Sequence, residues 1–203
     1  HSRSSRAVDK ATGVARAVSD LVCQMLVAFA SRHLESQSAV DISDGGGGSE
    51  LPMGMERLAG VCVEVCVRLK RLDFLYGSLY PLFAPSRTTS TPDAHSAMMR
   101  AFEAYITARR MRALPGNILL DLCEHFCGLA ESPTTSPTVP QWRRRLESCL
   151  LCLDVRSMPL PPLLAATRRL RLLSGYAHAC ATGLGDYAAP LDAFFAAMDG
   201  ALA

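Results

Sequence analysis

Apolar residues recur at helical spacing through most of the chain. They follow intervals of three and four from Leu58 to Leu79, and again from Leu163 to Cys180. This period is typical of helices that pack against other helices, and the 58–79 stretch predicts one long helix. No run alternates apolar and polar residues as a half-buried strand does. We therefore expect an all-α fold, with a helical bundle of about six helices over residues 50–203.

Prolines and glycines separate the predicted helices. Pro81 ends the first of them, and the segment 91–93 (Thr-Pro-Asp) has the residues of a helix start. A second break is predicted at 115–116 (Pro-Gly), and residues 132–140, with three prolines, are predicted to form a loop.

Residues 1–44 contain one amphipathic helix, predicted from about Val8 to Leu34. At about 100° per residue, five apolar side chains share one arc and polar residues occupy the far side. The five are Val18, Leu21, Val22, Met25 and Phe29. A single helix cannot bury such a stripe against itself. We predict that the stripe docks in a hydrophobic groove of the bundle and binds the partner. The alternative is the first helix of an ordinary bundle.

The segment 45–49 reads Gly-Gly-Gly-Gly-Ser, a unit that is used as a flexible linker in engineered proteins. We interpret it as an engineered linker. Residues 1–44 then come from a binding partner of the helical domain 50–203, and the chain is a fusion of the two. The alternative is a natural glycine-rich loop from a GC-rich gene, which the excess of arginine over lysine also favours.

The composition excludes a disordered tail or a highly charged nucleic-acid arm, because 49% of residues are hydrophobic, 20% are charged and the net charge is +2. Arginine-rich clusters at 68–71, 109–112, 143–145 and 168–171 suggest a nucleic-acid-binding helical domain as the alternative function. However, three consecutive arginines spread over about 200° of a helix, which favours solvated faces and ion pairs. We do not expect a nucleic-acid partner.

Cys123, His125 and Cys127 have the side-chain chemistry of zinc ligands, but on a helix His125 points away from both cysteines. Asp121 and His125 could share a face as an acid–base pair, but a surface ion pair explains them better. The chain has no nucleophile elbow, metalloprotease motif or phosphate-binding loop. We expect no catalytic residue, metal, cofactor or small-molecule substrate.

The eight cysteines lie in apolar helical stretches, which favours reduced thiols over a secreted disulfide framework. No apolar run approaches the roughly 18 residues that span a bilayer. We therefore expect an intracellular protein of the cytoplasm or nucleus without a membrane span. Its predicted function is a non-catalytic protein–protein interaction module, as a scaffold, adaptor or assembly subunit of a complex.

Overall fold

The computed structural model describes residues 2–40, 54–84, 92–128 and 141–202, with side chains at 12–36, 54–84, 93–128 and 141–198. These ranges contain helices and no strand, which confirms the predicted all-α class. The predicted linker 45–49 and the predicted loop 132–140 lie outside the described residues.

Nine helices occupy the described part of the chain. They are α1 (Ser2–Val40), α2 (Met55–Arg68), α3 (72–83), α4 (Pro92–Thr107), α5 (Gly116–Gly128), α6 (Gln141–Cys152), α7 (Leu160–Arg169), α8 (173–184) and α9 (Ala188–Leu202). Two of these helices contain a π-helical segment, Leu75–Leu79 in α3 and Cys180–Leu184 in α8.

The chain divides into two compact units, His1–Ala101 and Phe102–Ala203, and the boundary falls within α4. In the first unit, α1 contacts α2 and α3, and α2 contacts α3. The core of this unit includes the fully buried side chains of Leu58, Leu75 and Phe83. An ion pair of 3.0 Å between Arg100 and Glu56 joins α4 to α2.

In the second unit, helices that follow one another along the chain pack in succession. Helix α5 contacts α6 and α7, α6 contacts α8, α7 contacts α8, and α8 contacts α9. Gly175 permits the close approach of α8, because an added Cβ would lie 3.0 Å from Leu150 Cδ1 and 3.3 Å from Thr167 Cγ2. Contacts with the next helix and the next but one are typical of stacked helical hairpins.

The two long apolar stretches are each divided between two helices, so the prediction of one long helix over 58–79 is wrong. Helix α2 ends at Arg68, where Lys70 takes a φ of 55° and the Arg71 amide donates to the Cys66 carbonyl at 2.8 Å. Arg171, with a φ of 53°, separates α7 from α8 in the same way. The left-handed residue terminates the helix, and the three-four pattern resumes in the next helix.

Candidate protein-binding surface

Helix α1 carries apolar side chains on two separate faces, and the first of them packs inside the unit. This docking face consists of Cys23, Leu26, Ala30 and Leu34, which are spaced by three and four residues. All four side chains are buried, and the helix contacts α2 and α3. The docking face therefore holds α1 against the first unit. Sequence analysis missed it, although its spacing is helical.

An arginine between α2 and α3 forms an ion pair with the polar side of the docked helix. The Arg71 guanidinium pairs with Asp20 of α1 and, at 3.1 Å, with Asp73. Hydrogen bonds to Asp73 and Asp20 raise the pKa of Arg71, and the bond from Arg71 holds the pKa of Asp73 below its usual range. Because the carboxylates are partly exposed, this network orients α1 more than it stabilises the fold.

Two thiols meet at the contact between α1 and α2. The side chains of Cys23 and Cys66 are hydrogen-bonded, and burial raises the pKa of both, that of Cys66 to about 12. All eight cysteines of the chain are free thiols, and six of them are buried. Protonated, buried thiols behave as small apolar groups and are poor nucleophiles.

The second apolar face of α1, the α1 stripe, is exposed along its length. It includes all five predicted partner-binding residues, and their exposed fractions run from 37% for Val22 to 65% for Met25. The full stripe is Val14, Val18, Leu21, Val22, Met25 and Phe29. Its centre lies about 130° around the helix from the docking face. The stripe therefore does not make the intramolecular contact that we predicted for it, because the docking face takes that place.

The α1 stripe is also free of charge. Between Val14 and Ser31 the only charged residues are Arg16, on the opposite side of the helix, and Asp20, which is paired with Arg71. Exposed apolar surface is unfavourable by roughly 25 cal/mol per Å², and a contiguous patch commonly marks a binding surface. The stripe is thus suited to bury itself against another apolar surface.

One helical segment in the described residues, Thr12–Ser36, is long and apolar enough to cross a membrane by length and composition alone. Core helices of soluble proteins and signal sequences meet the same criterion. The absence of a membrane span therefore stays a prediction.

The residues considered for metal binding do not form a metal site in the described part of the chain. Burial raises the pKa of Cys123 to about 12, and the His125 ring packs edge-on against Phe126 with centroids 5.8 Å apart. Across the described ranges, no three histidine, cysteine or acidic side chains are grouped so that they could hold a metal ion.

The arginine clusters contribute to contacts within the second unit. Arg145 donates two hydrogen bonds to Glu103, at 2.8 and 2.5 Å, and its guanidinium lies 5.4 Å from the centroid of Phe126. Arg168 lies over Tyr176 at 5.5 Å. Arg145 and Arg168 therefore contact other helices of the same unit, which agrees with ion pairs and packed helix faces.

Comparison with known protein families gives a match in the second half of the chain. The family model described as Vps8 central TPR matches residues 98–202, just over half of the 203 residues. No curated protein and no solved structure matches the chain. The matched segment nearly coincides with the second unit, in which the helices stack in succession.

Proposed function

The chain belongs to the Vps8 central TPR family, and on that premise we propose that it is a non-catalytic scaffold or adaptor subunit of an intracellular complex. Helical repeats of this kind stack into extended arrays and bind other proteins through the surfaces that they expose. The succession of contacts from α5 to α9 supports this proposal. The family belongs to intracellular trafficking complexes, which supports the expected intracellular location.

The successive packing of α5 to α9 inside the matched segment carries this proposal. The α1 stripe, exposed on a helix that is docked through its other face, supplies a candidate binding surface. We assign partner binding to the five residues Val18, Leu21, Val22, Met25 and Phe29. An apolar helix face of this length fits a hydrophobic groove on another protein. Because the docking face fixes α1 beforehand, less ordering entropy is lost when a partner binds.

We test this assignment with two charge-matched double variants of the full chain. Leu21→Asp with Met25→Asp places two carboxylates within the stripe. Ala17→Asp with Gln24→Asp places two carboxylates on an exposed face of the same helix outside the stripe. Proteins that co-purify with each variant from cells are quantified by mass spectrometry against the parent chain.

The stripe variant is expected to lose at least one stoichiometric partner by more than about tenfold, since burying an unpaired carboxylate opposes binding by several kcal/mol. The Ala17/Gln24 control should keep that partner within about twofold. Equal retention by both variants would contradict the assignment of the stripe.

We also propose that residues 1–44 derive from a binding partner of the domain 50–203 and that 45–49 is an engineered linker. The composition of 45–49 supports this origin, as does the way in which α1 docks as one separate helix on α2 and α3. A protease site inserted at 45–49 tests the docking that this origin requires. After cleavage, residues 1–44 should elute with the rest of the chain in size-exclusion chromatography, and free separation would refute the proposal.

A variant pair identifies the face that holds the cleaved helix. Leu26→Asp, on the docking face, should release residues 1–44 after cleavage, because it buries a charge without a partner. Leu21→Asp with Met25→Asp should leave them bound, because both side chains are exposed.

A further inference from the structure

The last helix of the second unit carries its large apolar side chains on the face that points away from its neighbour. Helix α9 contacts α8, and its half-buried positions are the small residues Ala189, Pro190 and Ala193. The exposed positions, which we call the α9 stripe, are Leu191 (56%), Phe194 (48%), Phe195 (58%) and Met198 (47%). Sequence pattern alone indicates an inward face for these four residues. The structure leaves them uncovered.

The α9 stripe has the spacing i, i+3, i+4 and i+7, with which a helix inserts its anchors into a groove of a partner. At about 100° per residue the four side chains fall within an arc of about 100°. The rings of Phe194 and Phe195 pack edge to face, with centroids 6.1 Å apart. Aromatic side chains placed in this way are the residue types that dominate binding energy at protein interfaces.

The helix is formed before any partner binds. Asp186 caps its start, since the Asp186 carboxylate accepts hydrogen bonds from the Ala188 and Ala189 amides at 2.9 and 3.2 Å. Pro190 lies in the first turn, where its missing N–H costs nothing. A preformed helix loses less conformational entropy on binding than a segment that must fold.

The charge of this region is of one sign. From residue 172 to 203 the chain contains Asp186, Asp192 and Asp199 and neither lysine nor arginine. Asp192 is exposed and precedes Phe195 by three residues, which places it about 60° around the helix from that edge of the stripe. Two copies of this face brought together would oppose carboxylates without a basic residue to neutralise them, which disfavours a second copy. A complementary surface is apolar at its centre and basic at its edge.

We propose that the α9 stripe docks into an apolar groove, rimmed by lysine or arginine, on a different protein. This surface is separate from the α1 stripe, and the geometry and charge of α9 carry it independently of the function proposed above. Leu191, Phe194, Phe195 and Met198 fill the groove, and Asp192 pairs with its basic rim.

Site-specific photo-crosslinking of the full chain in cells tests the proposal. In one variant benzoylphenylalanine replaces Phe195. In the matched control it replaces Ala197, which is exposed on another side of α9. Cross-linked peptides are identified by mass spectrometry, so that the chemistry of the contacted surface is read directly. Phe195 is exposed, so this replacement leaves the core intact.

The expected result is a cross-link from position 195, and not from 197, to an apolar groove flanked by lysine or arginine on another protein. Asp192→Lys should lower the yield of this cross-link from position 195 by at least about fivefold at low ionic strength. The effect should become smaller as the salt concentration is raised. A cross-link to the same face of a second copy, to lipid or to another segment of this polypeptide would overturn the proposal. Equal yields from positions 195 and 197, or insensitivity to Asp192→Lys, would do so as well.

Discussion

Three helices are each followed, two residues after their last residue, by a basic residue in the left-handed conformation. Lys70, Arg109 and Arg171 have φ values of 55°, 56° and 53°, and they are the non-glycine residues with positive φ in the part of the chain that the structure describes. Glycine usually occupies this position, because other residues pay roughly 1–2 kcal/mol there. A basic charge at the helix C-terminus offsets part of that cost. Without a glycine, the pattern contains no stop signal at 70 or 171, and the 58–79 stretch is therefore predicted as one long helix.

Lys70→Gly should therefore stabilise the first unit. Relief of the left-handed strain is expected to raise the free energy of unfolding by up to about 1 kcal/mol. Arg68→Gly, two residues earlier at the end of α2, is the control. There glycine should lower the free energy of unfolding by about 1 kcal/mol. Urea denaturation of both variants measures the difference. A Lys70→Gly variant less stable than the parent would contradict the strain at this residue.

The buried thiols predict a loss of stability at alkaline pH. Burial raises the pKa of Cys62, Cys66, Cys123 and Cys149 from 9.0 to about 12. Above pH 9 the unfolded chain releases these protons and the folded chain retains them, so stability is fully present below pH 9 and declines towards pH 12. Each thiol lowers the free energy of unfolding by up to about 1 kcal/mol per pH unit in that window.

Urea denaturation between pH 8 and pH 11 measures this slope. Cys62→Ala should decline less steeply than the parent, because one titrating group is removed, whatever its stability at pH 8. Identical slopes would show that Cys62 ionises as readily in the folded chain as in the unfolded chain.

At the scale of the element, α1 shows what a helical pattern can and cannot establish. The five predicted stripe residues form one face, and the structure places them on one side of the helix. Which apolar face docks does not follow from the pattern, because Leu26, Ala30 and Leu34 extend the apolar arc to about 220°. A wide arc offers two candidate faces, and the shape of α2 and α3 decides between them.

The same charge should therefore change stability by very different amounts at two adjacent positions of α1. Leu26 is 9% exposed and Met25 is 65% exposed. Leu26→Asp buries a carboxylate at the contact with α2 and α3. It should lower the free energy of unfolding by about 3 kcal/mol or more. Met25→Asp should change the free energy of unfolding by less than about 1 kcal/mol, mainly through helix propensity. Similar losses for both variants in urea denaturation would contradict the two-face description.

At the scale of the whole molecule, the helical class is predictable from sequence and the packing order is not. The three-four spacing identifies most helices, but an apolar stripe does not specify which neighbour covers it. The successive packing of α5 to α9 depends on close approaches such as that of Gly175 to Leu150 and Thr167. The α9 stripe is the plainest example, because its pattern is that of a core helix and its side chains are exposed.

The charge of the whole molecule agrees with a protein partner. A net charge of +2 produces a weak field, and arginines such as Arg145 are engaged with Glu103 and Phe126. Under the proposed function, recognition depends on apolar area, which the two stripes would provide.

Oxidative footprinting of Met25 tests this account most directly. Hydroxyl radicals modify exposed side chains, and the rate is compared between the isolated chain and the chain in its assembly inside cells. Leu151, 45% exposed on α6 and outside both stripes, serves as the internal reference. If another protein covers the α1 stripe, the Met25 rate should fall several-fold relative to Leu151 in the assembly. An unchanged ratio would mean that the stripe stays uncovered, and would contradict the proposed function.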